Sequence, residues 1–403
     1  MYRVGRWNVT LNMTDSRGPM DSQQRLARWR QRRAAHLASL PWLATDTSTG
    51  RAVHYVAGEL VFIDEHEDDA RRAVEALGHG PRDVSEDRPL PGLRRMRVQG
   101  LDAVRASRLV RERTGRALVG PNHVLEASPH EQGGPFGRPV ATAAPAVDVS
   151  LLSGGPHVVV MDTGVWADSP LPATSYRVDG ADYETDVDVD RDDVIDSDVG
   201  HANFIAGVIL QGTRRAQVRI VKVLDTFGLG TELDLARRIA ALDDADILNL
   251  SLGTFSIDDQ PPVLLGWALQ QFLLGKDRVV VAAAGNDGVA GRPFWPAAFA
   301  GAQVPWREQV VAVAAHDGSA LCSWSNTGPW VTLAAPGADV VSTYIHHPQF
   351  QSGWAVWSGT SFATPHVVAG IARAAEQSTG VLAGVKQLTA TASRIPGGYA
   401  AVL

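Results

Sequence analysis

Short apolar runs, each closed by small or polar residues, recur through the second half of the chain. Residues 157–165, 247–254 and 279–287 follow this pattern. Apolar runs of this length predict buried strands. Small-residue helices are predicted to begin near Gly200 and Gly359, because the residues that follow these glycines are mostly apolar.

The first third of the chain has a different pattern, which predicts a small α+β unit. Its predicted elements alternate in the order β-α-β-α-β over residues 53–63, 68–77, 93–98, 101–114 and 117–124. That order approximates a split βαβ sandwich. Residues 126–145 are rich in Gly, Pro and Ala, which is typical of a linker. Residues 21–40 predict a basic amphipathic helix that packs on its own domain, touches a membrane surface or mimics a transit signal.

Three polar residues stand at the ends of predicted elements. Asp162 follows a strand, at the edge where the reacting groups of open parallel sheets collect, and His201 lies in the first turn of a helix. Ser361 is predicted as the N-cap of the next helix, whose free amides and positive dipole end would face its hydroxyl. Each residue alone fits an ordinary turn or cap. Together, in this order, they predict a nucleophile, its base and a group that orients the base.

The segments around these residues contain longer motifs. They read Asp162-Thr-Gly, His201-Ala-Asn-Phe-Ile-Ala-Gly207 and Gly359-Thr-Ser-Phe-Ala-Thr-Pro-His366. In motif and in chain order this sequence resembles the subtilisin-like serine proteases, the subtilases of the S8 peptidase family. It departs from them at Ala202-Asn203, where Gly-Thr is usual, and at Phe362, where Met is usual. The resemblance covers roughly residues 150–403. It implies an α/β fold of the subtilisin-like three-layer type with a mainly parallel central sheet.

The resemblance assigns a role to each of the three residues. Ser361 would attack the peptide carbonyl, and His201 would take its proton and return it to the leaving amine. Asp162 would hold the imidazole in the required tautomer. The sequence is therefore expected to encode a serine endopeptidase that works through an acyl-enzyme.

Two further segments resemble parts of the subtilase cleft. Asn286 closes an apolar run and would donate its side-chain amide to the oxyanion, although Gly-Asn-Asp-Gly also fits a turn. Ser251, Leu252 and Gly253 would accept a peptide substrate as an added β-strand, and they also fit a central core strand.

The resemblance also suggests a role for the N-terminal part, because subtilase propeptides have a similar α+β topology and act as intramolecular inhibitors. The expected division is an extension at 1–50, a propeptide-like α+β domain at 51–125, a linker at 126–150 and a peptidase domain at 151–403. The linker would be the processing site or a flexible tether.

Charge and composition bear on cofactors. The formal net charge is −7, and residues 179–198 alone hold ten acids and one arginine. Within the stretch Asp186 to Asp198, acids at 188, 190, 192 and 196 have the spacing of a calcium loop, but Asp193 replaces the expected glycine. A calcium site, a solvated loop and a rim that attracts basic substrates all stay open, and no other cofactor is required.

Several classes of protein and location are disfavoured. Cys322 is the single cysteine, so the chain has no intrachain disulfide. Residues 1–20 lack the apolar core of a signal peptide, and no apolar stretch is long enough to span a membrane, so a cytoplasmic enzyme is the default, with secretion by another route still possible. No phosphate-binding loop, zinc spacing or basic nucleic-acid patch is present. The alternatives are a dedicated intracellular maturation protease for one partner peptide and a non-catalytic relative that binds peptides.

Overall fold

The computed structural model describes residues 22–127, 138–152, 154–396 and 399–402. Most of the expected linker, residues 128–137, lies outside the described residues. The N-terminal part contains α1 (Ser22–Ser39), β1 (Leu43–Asp46), β2 (Val53–Ile63), α2 (Glu67–Ala76), β3 (Val84–Leu90), β4 (Leu93–Val98), α3 (Ala103–Thr114) and β5 (Val119–Glu126).

The N-terminal strands form one antiparallel sheet that is covered on both faces. The strand order is β5-β2-β4-β3, and β1 pairs with β2. Because side chains alternate along a strand, Leu60 and Phe62 of β2 pack with residues of α2 and α3, whereas Val61 joins the core of the second part of the chain. The small unit therefore packs against the rest of the protein.

The second part of the chain supplies the remaining elements. Its helices are α4 (His201–Gly212), α5 (Glu232–Ala240), α6 (Val263–Leu273), α7 (Thr360–Ala375) and α8 (Val381–Thr391). Its strands are β6 (Val140–Thr142), β7 (His157–Asp162), β8 (Val165–Trp166), β9 (Tyr176–Val178), β10 (Tyr183–Glu184), β11 (Gln217–Lys222), β12 (Leu229–Thr231), β13 (Ile247–Leu250), β14 (Val279–Ala283), β15 (Val310–His316), β16 (Leu333–Pro336), β17 (Val340–Thr343), β18 (Trp354–Trp357), β19 (Ser393–Arg394) and β20 (Ala400–Ala401).

A parallel sheet forms the centre of this part. Its order is β19-β20-β16-β15-β14-β13-β7-β11-β9, and each neighbouring pair except β19–β20 is parallel. Val158 and Val160 of β7 pack on the side of α4 and α7, whereas Val159 and Met161 pack on the side of α5 and α6. Both faces of the strand are therefore buried, which explains its continuous apolar sequence. The expected three-layer α/β fold is confirmed.

The two parts meet along β5. This strand pairs with β2 on the N-terminal side and with β12 of the second part, where Leu229 is opposite Glu126. The structure thus differs from the expected linker at both ends: Glu126 belongs to β5, and Val140–Thr142 forms β6, which pairs with β18. None of the described helices is long and apolar enough to cross a membrane.

Candidate active site

Asp162 and His201 form a buried pair at the carboxyl edge of the central sheet. Asp162 ends β7, and His201 is the first residue of α4. His201 Nδ1 lies 2.6 Å from Asp162 Oδ1, and neither residue is exposed to solvent. Gly200 precedes the helix with φ of 75°, a left-handed conformation that favours glycine and turns the chain into α4. The sequence prediction that these two residues come together agrees with this geometry.

The surroundings of His201 favour a basic imidazole. Burial by itself lowers the pKa of His201, but the charge and hydrogen bond of Asp162, together with the charge of Asp198, raise that pKa above its ordinary value. Nδ1 faces the carboxylate, and Nε2 has no hydrogen-bond partner within the described residues. The rings of Trp357 and Phe362 lie 5.5 and 5.2 Å from the imidazole. Asp162 thus fixes Nδ1, and Nε2 is available to accept a proton.

Ser361 lies in the first turn of α7, but it is not the N-cap that the sequence predicted. Gly359 is the N-cap, and the helix begins at Thr360. Ser361 is therefore the second helical residue, and its amide is one of those that have no intrahelical acceptor. Pro365 has no N–H to bond the Ser361 carbonyl one turn earlier, and the Ser251 hydroxyl donates to that carbonyl instead, at 2.8 Å.

The Ser361 hydroxyl does not hydrogen-bond to His201 in this conformation. Its Oγ lies 3.0 Å from the carbonyl oxygens of both Ala127 and Ser251. Ser361 is 1% exposed, so the end of the N-terminal part covers it. A change of the Ser361 rotamer alters the direction of its hydroxyl, because serine has three staggered positions about the Cα–Cβ bond.

Asn286 presents a buried amide beside the start of α7. Its Oδ1 accepts hydrogen bonds from the backbone N–H and the hydroxyl of Thr360, each at 2.8 Å. These two bonds fix the orientation of the side chain. Nδ2 is buried and has no acceptor among the described residues. A pre-aligned donor without an acceptor is what an oxyanion site requires.

The segment Ser251–Gly253 holds a strand of the chain itself. Gly253 and Glu126 exchange two backbone hydrogen bonds of 2.9 Å, and on the opposite side Ala127 donates its N–H to Gly228 at 2.9 Å. A Cβ atom at Gly253 would lie 2.3 Å from the Phe294 ring, so only glycine fits there. Leu252 packs in the core and does not line the surface. An extended strand of the chain itself thus lies between Gly253 and Gly228, and the substrate-binding role expected for Ser251 to Gly253 stays a prediction.

Comparisons with known proteins agree with this arrangement. The Subtilase family profile matches residues 153–393. The chain belongs to the subtilase family.

Individual subtilases are similar over long stretches. A thermophilic serine proteinase of Bacillus sp. (strain AK1) is 32% identical over 367 residues, covering 85% of this chain and 84% of that protein. Thermitase of Thermoactinomyces vulgaris is 34% identical over 252 residues, covering 59% of this chain and 80% of that protein. The solved structure of a cold adapted subtilisin-like serine proteinase is 24% identical with a TM-score of 0.47, covering 66% of this chain and 94% of that one. This subtilase is a serine-type endopeptidase, and its substrates are peptides.

The acidic loop before α4 brings three carboxylates together. Oxygens of Asp188, Asp190 and Asp196 lie within 4.8 Å of one another. Burial raises the pKa of Asp196 to about 6, and the neighbouring acids add to this effect. Asp192, which the calcium-loop spacing also included, lies instead 3.2 Å from Arg32 of α1. Three of the four predicted ligands are therefore close together.

Sequence reasoning missed three residues near the cleft. Arg33 of α1 forms an ion pair with Glu126, and His123 of β5 hydrogen-bonds to the buried Glu232. Asp198 precedes His201 by three residues, and only 1% of its surface is exposed. The sequence counted Asp198 as one more acid of a solvated loop, and no local pattern signalled that it is buried. Its position in the loop next to His201 was the available clue.

Proposed function

We propose that this subtilase hydrolyses peptide bonds with Ser361 as nucleophile, His201 as general base, Asp162 as the residue that orients the base, and Asn286 as oxyanion donor. One observation carries the proposal: His201 has one nitrogen 2.6 Å from Asp162, while its other nitrogen is buried and has no partner in the described residues. A base prepared in this way, beside a helix that has a serine in its first turn, serves acyl transfer.

The reaction requires one rearrangement of the resting site. The Ser361 hydroxyl must leave the carbonyls of Ala127 and Ser251 and turn to Nε2 of His201. His201 then takes the proton as Oγ attacks, and Nδ2 of Asn286 and the free amide of Ser361 stabilise the negative oxygen. His201 returns the proton to the leaving amine, and water repeats the sequence on the acyl-enzyme.

We further propose that the α+β domain at 51–125, with the extension at 1–50, inhibits the peptidase domain at 151–403. Three contacts support this: Glu126 pairs with Gly253, Ala127 pairs with Gly228, and the Ala127 carbonyl accepts from the Ser361 hydroxyl. The Ala127 oxygen therefore lies at the hydroxyl and not at the amide of Asn286. A carbonyl in that position accepts a hydrogen bond from the nucleophilic hydroxyl and is not itself attacked. Segment 126–150 is then a processing site or a tether.

Two experiments test these proposals separately. Incubation with a fluorophosphonate probe should label one serine, mapped to Ser361 by mass spectrometry, and Ser361→Ala should abolish labelling together with peptide hydrolysis. A labelled Ser361→Ala protein would exclude the assignment. Self-cleavage in segment 126–150 is tested by intact mass: a Ser361→Ala chain that shortens to the same length as the wild type rules it out.

We propose that hydrolysis itself needs no metal, because the four residues supply nucleophile, base, orienting group and oxyanion donor. Asp188, Asp190 and Asp196 would hold a calcium ion, whose oxygen preference fits carboxylates. Such an ion would stabilise the loop that leads to His201. A chelator is then expected to lower the melting temperature and leave kcat unchanged at temperatures where the protein is folded. A proportional loss of kcat at those temperatures would contradict this division.

The finer alternatives stay hypotheses. A dedicated maturation protease would cut one partner peptide and leave a general library uncut, and a peptide-binding relative would cut neither. Cleavage profiling with a mixed peptide library separates the three cases. The cytoplasmic location and the absence of nucleic-acid binding also stay predictions, which cell fractionation and a nucleic-acid shift assay test.

A further inference from the structure

Asp198 is a buried acid beside the cleft that the proposed reaction does not use. Its Oδ2 accepts a 2.6 Å hydrogen bond from Ser197, and its Oδ1 has no partner in the part of the chain that the structure describes. Burial raises the pKa of Asp198, against the opposing effects of His201, Ser197 and Arg33. A buried carboxylate oxygen without a partner is unusual in a native protein.

The carboxylate of Asp198 faces the place that the Ala127 side chain occupies. A Cβ atom added at Gly228 would lie 2.8 Å from Cγ and Oδ2 of Asp198 and 3.0 Å from Cβ of Ala127. The side chains of Asp198 and Ala127 therefore lie on either side of Gly228, which has no side chain. We call the space between Ala127, Gly228 and Asp198 the Ala127 subsite.

Backbone pairing gives the position of this subsite relative to the cleaved bond. Glu126 directs its N–H to Gly253, and Ala127 directs its N–H to Gly228 on the other side. These directions alternate along an extended strand, so the next residue of a bound peptide would face Ser251. Ser361 lies on that side, with its hydroxyl 3.0 Å from the Ser251 carbonyl. The Ala127 position is thus the second on the amino side of the cleaved bond.

The charges around the subsite change when the N-terminal part leaves. Asp198 faces His201, Asp162 and, from α1, Arg33. Arg33 pairs with Glu126 and donates to the Phe227 carbonyl at 3.3 Å, so it is bound together with the inhibitory strand. Release of that part removes the arginine and leaves two carboxylates beside one histidine. The open subsite therefore attracts a cation.

We propose that Asp198 is a specificity-determining residue that selects substrates with a lysine or arginine at the Ala127 position. The proposal rests on the proposed peptidase function. A basic side chain in the Ala127 subsite would donate a charge-assisted hydrogen bond to the Asp198 carboxylate, whereas the methyl group of Ala127 has no donor. The chain's own strand thus fills the Ala127 subsite without a hydrogen bond to Asp198, and a substrate with a basic residue at this position displaces it.

The first test compares peptides that differ only in Lys or Met at the second position before the cleaved bond, because these side chains have similar length. Wild-type protein should cleave the Lys peptide with a kcat/KM on the order of tenfold higher. Asp198→Asn should remove this preference, so that its kcat/KM values for the two peptides lie within about threefold of each other, because the amide keeps the shape of the carboxylate but lacks its charge.

Asp225→Asn is the matched control. Asp225 is also a buried acid whose pKa is raised, to about 6, but its Oδ1 accepts from the backbone of Phe227 and Leu229, which an asparagine oxygen also does. This variant should keep the preference for Lys. Equal rates on both peptides in the wild type, or a preference that survives Asp198→Asn, would overturn the proposal while the peptidase function stands.

A second test needs no hydrolysis. In the Ser361→Ala background, Ala127→Lys and Ala127→Met are compared by thermal unfolding, with Asp198 intact and with Asp198→Asn. The Lys variant should melt higher than the Met variant only when Asp198 is present. Absence of this coupling refutes the subsite even if no peptide is ever cleaved, and its presence supports the subsite independently of catalysis.

Discussion

His123 links strand β5, which we propose inhibits the enzyme, to the peptidase part, and its removal should activate the full-length chain. Its Nδ1 lies 2.8 Å from Oε2 of Glu232, and its Nε2 accepts the N–H of Ile257 at 3.3 Å. Glu232 is fully buried, and its other oxygen accepts from two amides at the start of α6. His123 therefore satisfies a buried carboxylate that the peptidase part uses to hold a helix.

The size of the effect follows from these two hydrogen bonds. A bond to a charged group contributes about 1.5–3 kcal/mol, and a neutral bond about 0.5–1.5 kcal/mol. His123→Ala should weaken the closed state by roughly 2–4.5 kcal/mol in total. Because about 1.4 kcal/mol corresponds to a factor of ten, the open fraction should rise by roughly 30-fold to 1000-fold.

The assay is the initial rate of fluorogenic peptide cleavage by the freshly purified full-length chain. His66→Ala is the control, because His66 also belongs to the N-terminal part but lies 3.2 Å from its neighbour Glu65, away from the cleft. Ser361→Ala combined with His123→Ala should be inactive. If His123→Ala folds normally by circular dichroism and its rate rises less than about threefold, the strand does not inhibit in the way we infer.

Further predictions concern the site and its supports. Asn286→Leu should lower kcat by about 10²–10³-fold with little change in KM, a range taken from subtilisin itself. The released enzyme should lose activity as the pH falls through the pKa of His201, because only the neutral imidazole is a base. A pH–activity profile with its midpoint at or below pH 6.5 would contradict the raised pKa. Burial raises the pKa of Cys322 to about 12, so a thiol reagent should react only after unfolding. Gly200→Ala should destabilise the protein more than Gly115→Ala in urea titrations: both glycines have positive φ, but only at Gly200 would a Cβ lie 2.6 Å from a buried tyrosine ring.

Local patterns predicted well those features that depend on neighbours in the sequence. The bounds of β2 and β4 agree with the predicted strands at 53–63 and 93–98, because apolar residues mark the buried face of each. Asp162 and His201 were placed at element ends, and parallel strands bring such ends to one edge of the sheet. The structure then brings the two side chains together.

Features that depend on distant residues could not be predicted in this way. Ser361 was expected to cap its helix by a local rule, but the first amide of the helix, that of Thr360, is bound by Asn286, which is 74 positions away. The helix can therefore begin two residues earlier than predicted, at Thr360. Likewise, the contact between Ser361 and Ala127 joins residues 234 positions apart.

Strand β3 was missed because its sequence is polar. Glu86 and Asp87 would be unfavourable in a buried strand, yet here they face arginines of the neighbouring strand β4. Arg94 lies 2.6 Å from Glu86, and Arg95 lies 2.7 Å from Asp87. Cross-strand charge pairs replace apolar packing along this strand, and an analysis of hydrophobic periodicity does not detect such pairs.

A cleft that binds substrate as an added strand recognises mainly backbone, so it cannot by itself distinguish a substrate from the chain's own β5. The difference must lie in which carbonyl reaches Asn286. In the structure the Ala127 oxygen lies at the Ser361 hydroxyl, and Nδ2 of Asn286 has no acceptor among the described residues. Inhibition and catalysis, as we propose them, therefore use the same backbone pairing, and they differ in whether a carbonyl reaches Asn286 or stops at the Ser361 hydroxyl.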